Sequence, residues 1–228
     1  MKFIAECGLN HNGNHDLTYE LIRQAYFSGA DIAKFQLGWR CGPDEINNIQ
    51  ADRLEKIINY CDYMGIEPLF TTVTKASFEM LKPFKPETIK IASRTVIDAP
   101  DLIKEILDQG FKTIISLGMW DGDELPFGED ENIDYLWCVS KYPALVSDLS
   151  GFPKDFTASP YIGYSDHTLG IETALLSISR GAKIVEKHFT LDKSDTTIKD
   201  HALSATPDEF EQLVTLGKEI EKLVCLGL

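Results

Sequence analysis

No apolar run in this chain of 228 residues approaches the roughly 20 residues that a membrane-spanning helix needs. The N-terminus has no charged region followed by a long apolar segment, so no signal peptide is expected. Basic residues are also scarce, because 22 Lys and Arg face 36 Asp and Glu and leave a net charge of −14. Such a charge disfavours binding to nucleic acids and to anionic membranes. Any anionic substrate would need a local basic cluster that works against this overall field.

The chain also lacks the cysteine pattern of a disulfide framework. It has five cysteines, an odd number, and they form no CxxC motif. This pattern predicts reduced thiols in a cytoplasmic protein rather than a disulfide framework. The cysteines are Cys7, Cys41, Cys61, Cys138 and Cys225.

What the chain does contain is a regular alternation of apolar runs and amphipathic segments. The continuous apolar character of the runs is typical of strands that are covered on both faces. Several of the amphipathic segments end in Gly before the next run, as βα repeats do. We predict eight strands, which span 3–9, 31–37, 67–73, 88–93, 112–118, 135–140, 161–167 and 183–190.

Eight such units predict an α/β fold of the (β/α)₈ TIM-barrel type, with an open doubly wound sheet as the alternative. We expect one compact domain over residues 1–228, with reduced helices after strands 5 and 6. The segments that follow those two strands have little helical periodicity. Helices are expected within 16–29, 51–65, 99–110, 168–181 and 206–224.

Ionisable and hydroxyl side chains stand at the carboxyl ends of the predicted strands, where TIM-barrel active sites lie. Glu186 and His188 are two residues apart and so share one face of strand 8, whereas Lys187 takes the other face. Lys34 and Lys90, with hydroxyls nearby, suit a small phosphorylated carboxylic acid. Two histidines on neighbouring strands suit a divalent metal.

The chain resembles the sialic acid synthases, which condense phosphoenolpyruvate with an N-acetylated hexosamine. "SDHTLG" together with "EKHFT" is the most specific part of this resemblance. The matching segments, in order, are "FIAECGLNHNG", "GADIAKFQ", "FTTVTK", "KIAS", "IISLGM", "GYSDHTLGIE", "GAKIVEKHFTLDK" and "PDEF".

The resemblance implies a role for each matching residue. His167 and His188 would hold the metal, with manganese expected and magnesium or cobalt as alternatives. The residues implied in substrate binding are Lys34, Gln36, Thr72, Lys90, Ser93, Ser140 and Ser165. Glu6, Tyr142 and Asp200 would lie near the acceptor and act in catalysis. The implied substrates are phosphoenolpyruvate and an aldose, in a protein expected to be cytoplasmic.

Three departures separate this chain from the family pattern. Thr95 stands where the family has a Glu assigned to proton handling, with Arg94 beside it, and Ser140 replaces an Asn. The family also carries a C-terminal antifreeze-like domain that contacts the acceptor, and we expect it to be absent here. The acidic segment 121–132 is then expected to rebuild the acceptor wall and to disfavour anionic acceptors.

Other interpretations remain open for the whole chain and for single residues. The chain could be an aldolase that uses pyruvate, or a non-catalytic homologue that binds metal and sugar phosphate. The histidines could be core residues bonded to backbone carbonyls, and the lysines could face outward to helix acids. Glu6 could pair with a barrel lysine, and Asp200 could lie in a surface loop. The apolar stripe of the last helix should pack on the barrel, or alternatively form a homodimer face.

Overall fold

The computed structural model describes residues 1–38, 45 and 48–227. Eight parallel strands close into a barrel in the order in which they occur along the chain, which confirms the predicted (β/α)₈ fold. The strands are β1 (Lys2–Gly8), β2 (Ile32–Leu37), β3 (Glu67–Thr72), β4 (Thr88–Ile91), β5 (Lys112–Ser116), β6 (Ile133–Cys138), β7 (Gly163–Asp166) and β8 (Ile184–His188).

Seven helices lie among the described residues. All five predicted segments contain one, and α3 and α4 are short helices that the apolar spacing does not reveal. The helices are α1 (His15–Phe27), α2 (Ala51–Met64), α3 (Lys75–Leu81), α4 (Ser93–Asp98), α5 (Pro100–Asp108), α6 (Glu172–Ser179) and α7 (Pro207–Cys225). Short 3₁₀ turns span Lys82–Phe84, Val146–Asp148 and Lys199–Leu203.

The barrel has two apolar layers, as the alternation of side chains along a strand requires. A small inner cluster fills the lumen below the strand ends. Its members are Ile4, Ile32, Leu69, Ile114, Leu136 and Ile184. The larger cluster lies between the strands and the helices and includes Phe3, Phe35, Phe70 and Phe210. The lumen beneath the strand ends is therefore closed by aliphatic side chains, and polar chemistry is confined to one end.

The ends of the helices follow the sequence signals. Gly65 closes α2 with a φ of 78°, the left-handed conformation that glycine adopts without strain. Thr206 caps α7, with Pro207 at the first position and Glu209 completing a capping box.

The links after β5 and β6 carry reduced helices, as predicted. Between β5 and β6, Leu125 and Phe127 pack on the outer core, and the Tyr135 hydroxyl donates to the Gly128 carbonyl over 3.0 Å. Between β6 and β7 the described helical structure is the single turn Val146–Asp148. The acidic segment 121–132 therefore covers the outside of the barrel.

The cysteines are free thiols where the structure describes them. Cys7, Cys61 and Cys138 are buried, Cys225 is exposed, and Cys41 lies outside the described residues. In the described part of the chain, no helix combines the length and apolarity needed to cross a membrane.

Candidate active site

A cavity of about 230 Å³ opens at the carboxyl ends of the strands. Its floor takes one side chain from every strand, so the closure of the barrel itself assembles the site. These side chains, from β1 to β8, are Glu6, Lys34, Thr71, Lys90, Ser116, Cys138, Ser165 and Glu186.

Two lysines and two glutamates form a buried quartet on this floor. The Lys34 ammonium lies 2.7 Å from Glu6 Oε2 and 3.5 Å from Glu186 Oε1. The Lys90 ammonium lies 3.8 Å from Glu186 Oε2. Both lysines point into the barrel, so the outward orientation that the sequence left open does not occur. The alternative in which Glu6 pairs with a barrel lysine does occur, and the four charges balance when Glu6 is ionised.

The pKa values of the two carboxyls in the quartet shift in opposite directions. Burial raises the pKa of Glu6 to about 7, although the Lys34 ammonium opposes this rise. Burial also acts to raise the pKa of Glu186, but the Lys34 and Lys90 charges outweigh it and hold that pKa below its ordinary value. Glu186 is therefore the ionised member, whereas Glu6 can take up or release a proton near neutral pH.

The two lysines differ in the same way. Burial alone would lower the pKa of Lys34, but Glu186 and Glu6 together hold it above the ordinary value. Burial lowers the pKa of Lys90, and the positive charge of Lys34 adds to this effect. Glu186 opposes this lowering without outweighing it, so Lys90 is the less fully compensated of the two ammonium groups.

Hydroxyl groups complete the floor. Lys90 Nζ donates to Ser116 Oγ over 2.7 Å, and Lys34 Nζ donates to Thr71 Oγ1 over 3.2 Å. Ser165 Oγ donates to Glu186 Oε1 over 2.8 Å. Ser93 Oγ accepts the Gly118 N–H over 2.9 Å, so it is held at the edge of the floor.

One residue of the predicted substrate-binding set lies elsewhere. Thr72 is fully buried and does not line the cavity, and Thr71 occupies the lumen position instead. The reason is parity, because Leu69 and Thr71 share the inner face of β3 while Thr72 points toward the helix layer. Sequence reasoning also left out Ser116 as a binding residue, although its place at the end of a strand was the available signal.

His167 and His188 lie side by side above the floor, with ring centroids 5.3 Å apart. His167 Nδ1 lies 2.6 Å from the Val139 carbonyl, which can only accept, so this nitrogen carries the proton and Nε2 is bare. Burial lowers the pKa of both imidazoles, that of His188 strongly. Both rings are therefore neutral, which is the state that ligates metals.

The described residues contain no group of three or more His, Cys, Asp or Glu placed to hold a metal ion. Two features nevertheless fit a divalent ion. The neutral histidines offer two nitrogen donors, and Asp200 Oδ1 is buried without a hydrogen-bond partner. Asp200 Oδ2 lies 4.0 Å from His188 Nδ1, and burial raises the pKa of this carboxyl. Asp200 thus lines the cavity and is not part of a surface loop.

The upper part of the cavity contains the remaining predicted residues. Gln36, Ser140 and Tyr142 line it, and the Tyr142 ring lies 4.3 Å from the His167 ring between centroids. The Lys199 ammonium lies 4.6 Å from the centre of the Tyr142 ring, on its face. All predicted site residues except Thr72 therefore meet in one cavity.

The expected acidic wall is not found. Asp121, Asp123 and Glu124 are exposed on the outside of the barrel and do not line the cavity. Among the charged residues that line it in the described part of the chain, the exposed ones are Arg94 and Lys199. The reason is that the segment packs through Leu125 and Phe127 against the barrel wall, which turns its acids to solvent. The exposed charges that the described residues place at the mouth are therefore basic, contrary to the expectation from the sequence.

Thr95, for which the resemblance implied a glutamate position, is buried in α4 and does not line the cavity. Its Oγ1 has no hydrogen-bond partner. Thr95 therefore supplies no acidic group to the cavity. Of the two carboxyls on the floor, Glu6 is the one whose pKa lies near neutral pH.

Known proteins resemble this chain over most of its length. The model of the NeuB family matches residues 45–227. The N,N'-diacetyllegionaminic acid synthase of Legionella pneumophila is 31% identical over 98% of this chain and 73% of its own length. The N-acetylneuraminate-9-phosphate synthase of Homo sapiens is 28% identical over 96% of this chain and 70% of its own length.

A solved structure shows the same similarity in three dimensions. The N-acetylneuraminic acid synthetase of Leptospira borgpetersenii superposes with a TM-score of 0.87 at 29% identity. The match covers 97% of this chain and 84% of that one. The agreement of sequence and fold over most of the barrel leads to one conclusion: the chain belongs to the NeuB family.

Proposed function

We propose that this protein joins C3 of phosphoenolpyruvate to the aldehyde carbon of an aldose while water adds at C2 and phosphate leaves, as a synthase of a nonulosonic or related keto-sugar acid. The observation that carries the proposal is the floor of the cavity, where Lys34 and Lys90 are buried and point inward. Burying ammonium groups is costly, and Glu6 and Glu186 offset this cost more closely for Lys34 than for Lys90, which lies 3.8 Å from its carboxylate and can donate to an anionic ligand. The names of the relatives, which are acid-sugar synthases, support the same activity.

Phosphoenolpyruvate would bind to the floor through its phosphate and carboxylate. Lys90 is the primary contact in this proposal, because it is closely bonded to a neutral hydroxyl and lies 3.8 Å from the nearest carboxylate. Lys34, Ser93, Ser116, Thr71 and Ser165 supply further donors. Because Glu6 and Glu186 balance the two floor lysines, Arg94 and Lys199 are the described cations of the lining that act locally against the net charge of −14.

Proton transfer is assigned to Glu6. Its pKa of about 7 places it between the two protonation states at neutral pH, as a general acid or base requires. Glu186 stays ionised and holds the two lysines, and Tyr142 and Asp200 border the acceptor.

His167 and His188 are proposed to hold a divalent ion, with manganese first and magnesium or cobalt as alternatives. The chemistry that such an ion supplies is Lewis-acid polarisation of the acceptor's aldehyde. The hydrogen bond from His167 to Val139 fixes the ring so that Nε2 is available to the ion.

The acceptor is proposed to carry an anionic group, because Arg94 and Lys199 are the exposed charges that residues 1–38, 45 and 48–227 contribute to the cavity lining. Arg94 lies four positions beyond Lys90 along the chain, past the end of β4 and toward the mouth. A phosphoenolpyruvate held on the floor would leave Arg94 facing the second substrate.

Arg94→Ala is therefore expected to raise the KM for a phosphorylated aldose by about tenfold, which corresponds to about 1.4 kcal/mol. The KM for the same aldose without phosphate, and that for phosphoenolpyruvate, should stay near the wild-type values. Arg23→Ala is the control, because Arg23 is exposed on α1 and pairs with Glu20. Equal loss with both aldoses would contradict this assignment.

The experiment that tests the activity measures phosphate release from phosphoenolpyruvate with manganese and a panel of aldoses. The proposed synthase releases phosphate only when an accepted aldose is present. An aldolase instead forms product from pyruvate without phosphate release, and a non-catalytic homologue binds the ligands without turnover. Either of those two results would replace the proposed function.

A further inference from the structure

A second ion pair lies behind the cavity, on the outer face of β7 and β8. Lys187 Nζ lies 3.1 Å from Asp166 Oδ2, and the two side chains are 1% and 0% exposed. This is the opposite face of β8 from Glu186 and His188, as the alternation along the strand predicts. None of the proposed chemistry uses this pair, because neither residue lines the cavity.

Asp166 is the centre of a complete hydrogen-bond set. Its Oδ1 accepts from the Tyr164 hydroxyl over 3.0 Å, from the Thr168 N–H over 2.7 Å and from Thr168 Oγ1 over 2.8 Å. Lys187 Nζ donates in addition to the Thr168 carbonyl. The pair therefore ties the strand end at Asp166, the turn at Thr168 and the neighbouring strand into one unit.

Both cavity histidines are attached to this unit through the backbone. His167 lies between Asp166 and Thr168, and His188 directly follows Lys187. His167 is also held by its carbonyl, which accepts the Ala144 N–H over 2.9 Å. The spacing of the two rings thus depends on how β7 and β8 are held together immediately behind them.

Stability alone does not account for charges at this place. Removing two charges from water is costly, and an apolar pair of similar volume is often as stable or more stable. Ion pairs and hydrogen bonds, however, fix direction, which apolar contacts do not.

We propose that the Asp166–Lys187 pair is a positioning device that sets the geometry of His167 and His188 for a divalent ion. The proposal rests on the proposed function insofar as the two histidines bind metal. Neither Asp166 nor Lys187 touches the ion or the substrates, so both act through the histidines.

The test is the affinity for Mn²⁺ of the substrate-free protein, measured by electron paramagnetic resonance, alongside urea unfolding of the metal-free protein. The double variant D166N/K187M removes both charges and leaves no unpaired one. It is expected to bind Mn²⁺ roughly 10–100-fold more weakly, the usual effect of losing groups that orient metal ligands. Its midpoint of urea unfolding should stay close to that of the wild type. Lys187→Arg, which keeps the charge, is expected to retain most of the affinity.

The matched control is K75M/E105Q, which removes an ion pair of 2.8 Å between two residues that do not line the cavity and should leave Mn²⁺ affinity unchanged. Unchanged affinity in D166N/K187M would overturn the positioning role. So would failure of that variant to fold, because the pair would then be structural. If the wild-type protein itself binds no Mn²⁺, the metal assignment of the proposed function falls together with this inference. If it binds Mn²⁺ but releases no phosphate, only the proposed reaction fails.

Discussion

Replacing Lys90 with methionine is expected to raise the KM for phosphoenolpyruvate by at least about tenfold. Lys90 is 2% exposed on the cavity floor and donates to Ser116 Oγ over 2.7 Å. A hydrogen bond from an ammonium to an anionic substrate contributes roughly 1.5–3 kcal/mol, which corresponds to about 10–100-fold in affinity. Methionine keeps most of the side-chain volume, so the effect measured is that of the charge. Phosphate release at a saturating acceptor concentration provides the KM.

Lys104→Met is the matched control, because Lys104 is 64% exposed on α5 and pairs only loosely with Asp101 at 3.7 Å. Its KM should equal that of the wild type. Thermal unfolding of both variants would show whether the protein still folds when Lys34 is the remaining lysine partner of Glu186. A folded Lys90→Met protein with an unchanged KM would show that phosphoenolpyruvate does not bind to the floor of the cavity.

His188→Ala is expected to lower kcat at least roughly 100-fold, since a metal that polarises a carbonyl supplies several kcal/mol of transition-state stabilisation. The variant should also lose bound manganese, which is measured after dialysis by elemental analysis. His188 is 7% exposed, and its ring lies beside His167 at 5.3 Å between centroids.

His15→Ala serves as the control, because His15 lies on α1 and does not line the cavity. Its metal content and kcat should match those of the wild type. Full manganese content in His188→Ala would show that the ion, if one binds, is held elsewhere.

The barrel could be predicted because its signals are local. Each strand is a continuous apolar run, and most of the predicted helices end in glycine before the next run. Short helices escaped prediction, since α3 and α4 have seven and six residues and thus too few turns for an apolar stripe. That residues 1–228 form one domain stays a prediction.

The site could be predicted to the level of strand ends but not to the level of single neighbours. Lys34 and Lys90 were identifiable because lysines inside apolar strands need an internal partner. Thr72 and Thr71 could not be separated, since both follow the same apolar run and only the register of β3 decides which one faces the lumen. The prediction of an acidic wall was wrong because composition does not reveal how segment 121–132 packs, and that packing turns its acids away from the cavity.

The apolar stripe of the last helix, α7, packs on the barrel over only part of its length. Phe210, Leu213 and Val214 pack on the barrel, whereas Leu216 and Leu223 are 47% and 48% exposed. Barrel packing thus accounts for the first part of the apolar stripe. A homodimer stays a prediction, as does the cytoplasmic location.

The central claim is that the cavity transfers the three-carbon unit of phosphoenolpyruvate to an aldose. The most direct measurement is mass spectrometry of the product after incubation with uniformly ¹³C-labelled phosphoenolpyruvate, an accepted aldose and manganese. The account predicts a keto-sugar acid that contains all the labelled carbons, formed in equal amount with inorganic phosphate, and strongly reduced in Lys90→Met. Label found only in pyruvate, with the aldose unchanged, would contradict it.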